Sequence, residues 1–236
     1  ANALQSKLNR LLTSEPRLAE RIDVHSLDAI GLRLYKTHVG PARLATRDDI
    51  RQLMDAAAGA VPGHKFGRRF LLAEWDHVVD AWQLDRWEAY RDVVRLGRKT
   101  RLPEAQRAVL WAIFERVRAG LRDKGLVTAS GLFTALASAL KARRNPVFDF
   151  AVVDEAQDIG VAHLRFLVAL AGGEGAVRPN ALFFAGDLGQ RIFQQPFSWK
   201  SLGVDVRGRS RTLRVNYRTS HQIRSQADRL LGPTVT

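Results

Sequence analysis

The chain has 236 residues, of which 46% are hydrophobic and 26% are charged, so it has the composition of an ordinary globular protein. These proportions exclude a mostly disordered, collagen-like or coiled-coil chain, and the absence of cysteine excludes disulfides, cysteine zinc sites and thiol nucleophiles. The net charge is +13 and thirty of the 37 basic residues are arginine, which favours contact with phosphate groups. The alternative is a solvated basic surface that reflects a GC-rich coding bias.

The first forty residues alternate helical and strand-like patterns. Leucines at helical spacing predict a helix over 1–13, and 22–24 has the pattern of a short strand. A further helix is predicted through Ile30 and Leu34, and it ends before Gly40 and the proline that follows.

Residues 41–145 have helical patterns throughout. Thr46 stands before an acidic first turn, which predicts a helix N-cap. The clearest helix is predicted over 103–125, with a proline at its start. Four large apolar residues recur at helical spacing: Trp75, Val78, Val79 and Trp82. We interpret these four as a buried helix face rather than a surface for base stacking.

From residue 146 onward, short apolar runs alternate with helix-like stretches. The runs 148–153, 181–185 and 212–215 are predicted strands, and strands separated by helices predict a parallel sheet. The sequence therefore predicts an α/β chain with an all-helical insertion. We place the insertion at 41–145, between the two sheet-forming parts 1–40 and 146–236.

The strongest chemical signal follows the first of these strands, where Asp154 and Glu155 stand next to each other. Ligands of open α/β sheets bind beyond the carboxyl ends of the strands. A carboxylate there can hold Mg²⁺ through water, and a second one can deprotonate a water that attacks a phosphate. The alternative is an acidic strand-to-helix turn without chemistry.

Two later segments strengthen the nucleotide interpretation. Gly186 allows a tight turn after the next strand, Asp187 can join the polar network around a metal, and Gln190 can reach a phosphate or the attacking water. The third strand delivers Arg218, whose charge can stabilise a transferring phosphoryl group. Four further arginines precede it, for which a solvated basic turn is the alternative: Arg207, Arg209, Arg211 and Arg214.

The sequence Val-Val-Asp-Glu-Ala-Gln-Asp, followed by Gly-Asp-Leu-Gly-Gln and then Asn-Tyr-Arg-Thr, closely resembles the UvrD/Rep-like superfamily 1 DNA helicases. These segments are similar to the Walker B motif, motif III and motif IV of that family, and the segment from His25 to Leu27 resembles motif Ib. The resemblance implies a partial RecA-like motor domain with the P-loop NTPase fold and a helical insertion. It also implies ATP-driven movement along single-stranded DNA, or along a duplex with a single-stranded tail.

The resemblance implies roles for individual residues in ATP hydrolysis. By position, Asp154 would bind Mg²⁺ and Glu155 would activate the attacking water. Gln157 and Gln190 would couple the state of the γ-phosphate to DNA, and Arg218 would contact the γ-phosphate. ATP and Mg²⁺ are the implied cofactors.

The resemblance also implies contacts with DNA. His25 and Ser26 would lie near the strand, and Phe193 corresponds to an aromatic residue that the family places beside it. Trp199 would supply a stacking face for a base, with a core position as the alternative.

The sequence lacks the phosphate-binding loop Gly-x-x-x-x-Gly-Lys-Ser/Thr, and its nearest glycine–lysine cluster, at 63–67, has the wrong spacing. Motifs V and VI and a second RecA-like domain are also absent from it. We therefore expect a part of a longer helicase that hydrolyses ATP poorly or not at all by itself, with the remaining domains of the same helicase as partners. The alternative is a non-catalytic nucleic-acid-binding or regulatory protein that retains the fold.

No apolar run approaches the roughly 20 residues that span a bilayer, so no membrane contact is expected. The family resemblance leads us to expect a bacterial cytoplasmic protein associated with the nucleoid. The pathway, whether DNA repair, recombination or replication restart, stays open at this point.

Overall fold

A local sequence signal determines where the helix after Thr46 begins. In the computed structural model of the chain, Thr46 Oγ1 accepts a hydrogen bond from the backbone N–H of Asp49 at 3.1 Å. The Asp49 carboxylate accepts one in return from the Thr46 N–H at 2.8 Å, which closes a capping box. The Asp49 carboxylate also accepts from the Thr46 hydroxyl at 2.6 Å, and this bond, together with the one from the Thr46 N–H, lowers the pKa of Asp49. The predicted N-cap at Thr46 is therefore confirmed.

The structure describes residues 2–95, 101–172, 178–186 and 197–213, together with residues 222, 225 and 226. The helices are α1 (Asn2–Leu11), α2 (Pro16–Ala19), α3 (Leu27–His38), α4 (Arg47–Gly59), α5 (Arg68–Glu74), α6 (Asp80–Trp82), α7 (Trp87–Asp92), α8 (Glu104–Asp123), α9 (Ala129–Lys141) and α10 (Val161–Gly172). A π-helical segment, Trp75–Val79, joins α5 to α6, and 3-10 turns span Ala156–Asp158 and Lys200–Leu202. The strands are β1 (Ala151–Val153) and β2 (Leu182–Phe184).

The described residues are mostly helical and contain a two-stranded parallel sheet. The α/β mixture predicted from the sequence is confirmed at this level. No helix within the described ranges combines the length and apolar character that crossing a bilayer requires.

The strand predictions were partly wrong. The segment 22–24 is extended but unpaired, because no described strand lies beside it to complete its hydrogen bonds. The run 148–153 forms a strand only over its last three residues, and 181–185 only over its middle three. Residues 212 and 213 are unpaired, and 214 and 215 lie outside the described residues.

The buried apolar residues fall into two groups. The first, here called the sheet core, joins α3, α9 and α10 to the inner face of β1 and β2 and includes Ile30, Leu136 and Phe166. The second, here called the helical core, joins α4, α5, α7 and α8 and includes Met54 and Phe114. Helix α9 packs in the sheet core, although its sequence lies inside the predicted insertion 41–145.

The apolar stripe that begins at Trp75 lies where the sequence predicted. Trp75 and Val79 are buried in the helical core, and the Trp75 ring lies 6.0 Å from the ring of Phe114, centroid to centroid. Trp82, the last of the stripe, is half-buried. The interpretation as a core face is confirmed for the buried members.

A buried ion pair stabilises the helical core. Arg95 Nε and Nη2 donate to the two carboxylate oxygens of Glu74, each at 2.6 Å, and the Tyr90 hydroxyl donates to Glu74 Oε1 at 3.2 Å. The Glu74 side chain is 0% exposed and that of Arg95 is 5% exposed. Burial and the neighbouring carboxylate raise the pKa of Tyr90.

We predict that Arg95→Ala lowers the free energy of unfolding by about 3–5 kcal/mol, because it removes a cation that pairs with the buried carboxylate of Glu74. Urea denaturation followed by circular dichroism measures this loss. The matched control is Arg51→Ala, which breaks the exposed Arg51–Asp48 pair and should cost no more than about 1 kcal/mol. Equal effects of the two substitutions would contradict the prediction.

A partly enclosed histidine makes the sheet core sensitive to pH. His163 Nδ1 accepts from the Gly160 N–H at 3.4 Å, and its ring meets the Phe133 ring edge-on at 4.4 Å between centroids. Burial lowers the pKa of His163 below its ordinary value of 6.5. The unfolded chain therefore binds a proton at a higher pH than the folded chain does.

We predict that stability falls as the pH drops below 6.5, the ordinary histidine value, until His163 is protonated in the folded state as well. His163→Asn, which keeps an acceptor for Gly160, should reduce that fall. Urea midpoints measured at several pH values test this, with the exposed His25→Asn as control. The same pH dependence in both variants would show that His163 does not cause the fall.

Candidate functional site

The parallel pairing of the strands brings two distant segments to one edge of the sheet. Ala151, Val152 and Val153 pair with Leu182, Phe183 and Phe184, respectively, so β1 and β2 end side by side. Backbone hydrogen bonds continue past the strands, from the Ala185 N–H to the Val153 carbonyl at 2.8 Å and from the Ala156 N–H to the Ala185 carbonyl at 2.9 Å. The residues after β1 are therefore fixed against those after β2.

The acidic pair forms a tight turn directly after β1. Asp154 and Glu155 are both exposed, and Asp154 Oδ1 accepts a hydrogen bond from the Glu155 N–H at 3.0 Å. Glu155 has φ 53° and ψ 41°, in the left-handed region that residues other than glycine seldom adopt. Such backbone persists where the surroundings enforce it, and it is common at functional sites.

Gln157 connects this turn to the interior. It is only 7% exposed, and its Nε2 donates to Glu155 Oε2 at 2.5 Å. A buried amide thereby fixes the direction of an exposed carboxylate. The structure brings together Asp154, Glu155 and Gln157, three of the residues that the sequence assigned to ATP hydrolysis.

Gly186, which follows β2, packs closely against this turn. A Cβ atom at this position would lie 2.6 Å from Gln157 Oε1 and 3.0 Å from the backbone nitrogen of Ala156. Only glycine allows the two segments to lie this close. Asp187, the next residue, lies outside the described residues, as do Gln190, Phe193 and Arg218, so their roles stay predictions.

The carboxylate oxygens at this edge of the sheet are suitable ligands for a magnesium ion that keeps most of its water. Asp154 offers an exposed carboxylate, and Mg²⁺ is usually bound through one or two carboxylates with several waters retained. In the described part of the chain, no three His, Asp or Glu side chains are grouped to hold a metal by themselves. For ATP, the sequence supplies the acidic edge but not the phosphate-binding loop.

Ser26, one of the two residues near the start of the chain that were predicted to contact DNA, has a structural role as well. Ser26 is the N-cap of α3, and its Oγ accepts from the Ala29 N–H at 3.3 Å. His25, the preceding residue, is exposed. Contact of either residue with DNA stays a prediction.

Trp199 packs against the sheet. Its ring meets that of Phe184 edge-on, with centroids 4.7 Å apart and planes at 82°. The side chain is half-buried and packs on the sheet core, which agrees with the core alternative stated above. Part of the side chain remains exposed, so stacking on a base stays a prediction.

The arginines before the third predicted strand are exposed where the structure describes them. Arg207 forms an ion pair with Asp205, with its Nε 2.9 Å from Asp205 Oδ1, and this pairing lowers the pKa of Asp205. Arg209 and Arg211 are exposed, and Arg214 lies outside the described residues. The alternative of a solvated basic turn therefore describes Arg207, which is exposed and pairs with its neighbour Asp205.

Sequence reasoning missed Arg178, which fixes the approach to β1. Its Nη2 donates to the carbonyl oxygens of Phe148 at 3.1 Å and Asp149 at 2.8 Å. Its Nη1 lies 3.2 Å from the Asp149 carboxylate. No periodicity or motif marks this arginine, because its partners lie about thirty residues away in the sequence.

The chain matches no protein-family model, and no curated protein matches its sequence.

We predict that Gly186→Ala separates the end of β2 from the acidic turn and lowers the free energy of unfolding by about 1–3 kcal/mol. Urea denaturation measures the loss. The control is Gly59→Ala at the end of α4, where a Cβ has open space and an alanine in a helix should be neutral or stabilising. Unchanged stability in Gly186→Ala would contradict the close packing described here.

Proposed function

We propose that the chain is part of an ATP-dependent DNA helicase or translocase of the UvrD/Rep type, which couples ATP hydrolysis to movement on single-stranded DNA. The observation that carries this proposal is the meeting of the turn at Asp154–Glu155 with Gly186 at the ends of two parallel strands. Each of the two segments resembles a helicase motif, and the parallel pairing brings both to the same edge of the sheet. ATP and Mg²⁺ are the proposed cofactors.

The described residues have distinct tasks in this proposal. Bound Mg²⁺ would neutralise charge on the phosphates of ATP. Asp154 holds the hydrated ion, and the Glu155 carboxylate orients the attacking water and accepts its proton. Gln157, buried behind the turn, keeps that carboxylate in position through its hydrogen bond. None of these three side chains carries positive charge, so any cationic side chain that contacts the phosphates must come from another part of the protein.

An exposed apolar sheet face supports the proposal that further parts of the same helicase pack on this chain. Phe150 is 71%, Val152 76% and Phe183 62% exposed, on the side of the sheet opposite the sheet core. Parallel sheets are ordinarily covered on both faces. The remaining domains of the helicase are the proposed partners, together with single-stranded DNA and duplexes that carry a single-stranded tail.

The second function to be considered is a non-catalytic nucleic-acid-binding or regulatory protein. The absence of a phosphate-binding loop from the 236 residues favours it, because such a loop holds the phosphates of ATP. For the same reason we propose that this chain alone hydrolyses ATP poorly or not at all. ATP turnover by a longer product that contains these residues separates the two functions.

We predict that Glu155→Gln in the longer helicase lowers the turnover of ATP at least about 100-fold, the effect of losing a general base. ATP affinity should change little, because the glutamine keeps the shape of the turn. Steady-state hydrolysis and equilibrium nucleotide binding measure the two effects separately. The control is Glu88→Gln in α7, an exposed acid in the helical part of the chain, which should change neither. Parallel loss of binding and turnover would contradict the role of Glu155 as the base.

A further inference from the structure

The helical core and the sheet core are joined at a corner that is polar. This corner, residues 80–83, consists of α6 and Gln83, which follows in a left-handed conformation with φ 52°. Asp80 Oδ1 accepts hydrogen bonds from Thr128 Oγ1 at 2.6 Å and from Gln83 Nε2 at 2.7 Å. Thr128 is the N-cap of α9, so the carboxylate of Asp80 is bound directly to a helix of the sheet core.

A second helix of the sheet core binds the same corner. Arg165 on α10 donates from Nη1 to the backbone carbonyl of Trp82 at 3.3 Å. The corner also lies directly on the first turn of α9, where a Cβ at Gly131 would lie 3.4 Å from Gln83 Oε1. The corner is therefore held against α9 and α10 mainly by hydrogen bonds.

The other connections between the two cores are slight. Among the described residues, the buried apolar side chains form two separate groups. In the described part of the chain, the two crossing segments pair at the bridge between Leu44 and Val127 with two backbone hydrogen bonds, and Arg43 Nη1 donates to the Lys124 carbonyl at 3.5 Å. Beside the corner lies a cavity of about 150 Å³, lined by Trp75 and Arg118 from one side and by Thr128 from the other.

An interface made mainly of hydrogen bonds fixes the orientation of the two cores only through those specific contacts. Small, polar interfaces within a chain permit relative motion, and hinges use a few residues at the ends of elements. Burial raises the pKa of Asp80, while the hydrogen bonds from Thr128, Ser130 and Gln83 oppose that rise. The Asp80 carboxyl group is therefore bound by donors from both sides of the junction.

We propose that Asp80 and Thr128 form a latch that fixes the orientation of the helical core relative to the sheet core. When the hydrogen bond between them is removed, the helical core reorients about the corner while both cores stay folded. This inference is independent of the proposed function, since it involves neither ATP nor DNA.

The absence of cysteine from the chain makes the test direct. In the full chain, Gln52→Cys on α4 and Ser138→Cys on α9 place one spin label on each core, at exposed positions. Double electron–electron resonance then gives the distribution of distances between the labels. We expect one narrow distribution with the latch intact, and a broadened or shifted one in Asp80→Ala, with unchanged helical content by circular dichroism.

Substitutions of Thr128 provide an independent second test. Thr128→Val removes the donor to Asp80, whereas Thr128→Ser retains it and should restore the narrow distribution. Because Thr128 also caps α9, accepting from the Gly131 N–H at 3.0 Å, the loss of a cap needs its own control. Thr46→Val removes the equivalent cap of α4 without touching the corner, and it should leave the distribution narrow.

Two results would overturn the proposal. One is a narrow, unshifted distribution in both Asp80→Ala and Thr128→Val. The other is loss of helical content in both variants, which would show that the two residues maintain the cores rather than their orientation. A broadened or shifted distribution in folded Asp80→Ala or folded Thr128→Val, together with a narrow one in Thr128→Ser, supports the latch. The measurement uses no nucleotide, so its failure would leave the proposed function unaffected.

Discussion

Parallel pairing of β1 with β2 is the constraint on which the candidate site depends. Two strands that run in the same direction end at the same edge, so the residues that follow them are brought together whatever their separation in sequence. Here the pairing places the turn at Asp154 and Glu155 against Gly186. Helix α10 connects the strands and covers one face of the sheet, and this packing holds the edge in place.

Features that depend on neighbouring residues were predictable from the sequence. The cap at Thr46 needs only an acidic residue three positions later, and the buried face at Trp75 needs only apolar residues at helical spacing. The acidic pair after an apolar strand likewise predicted a turn at a sheet edge. In each case the partners lie within one or two helical turns or directly follow a strand.

Features that depend on distant partners were not predictable. Nothing local indicates that α9 packs with α3 and α10 rather than with the helices before it. The close fit of Gly186 against Ala156 and Gln157 depends on the parallel pairing of β1 with β2. The ion pair of Glu74 with Arg95 joins residues 21 positions apart, and neither side chain shows in the sequence that it is buried.

The most direct test of the proposed function is ATP hydrolysis measured with and without single-stranded DNA. The 236-residue chain is compared with the proposed longer product that contains these residues. The account predicts that the longer product hydrolyses ATP and that single-stranded DNA accelerates it, while the 236-residue chain shows little or no turnover. Absence of turnover in both would contradict the helicase proposal and favour a non-catalytic nucleic-acid-binding protein. Brisk turnover by the 236-residue chain alone would contradict the role assigned to the missing phosphate loop.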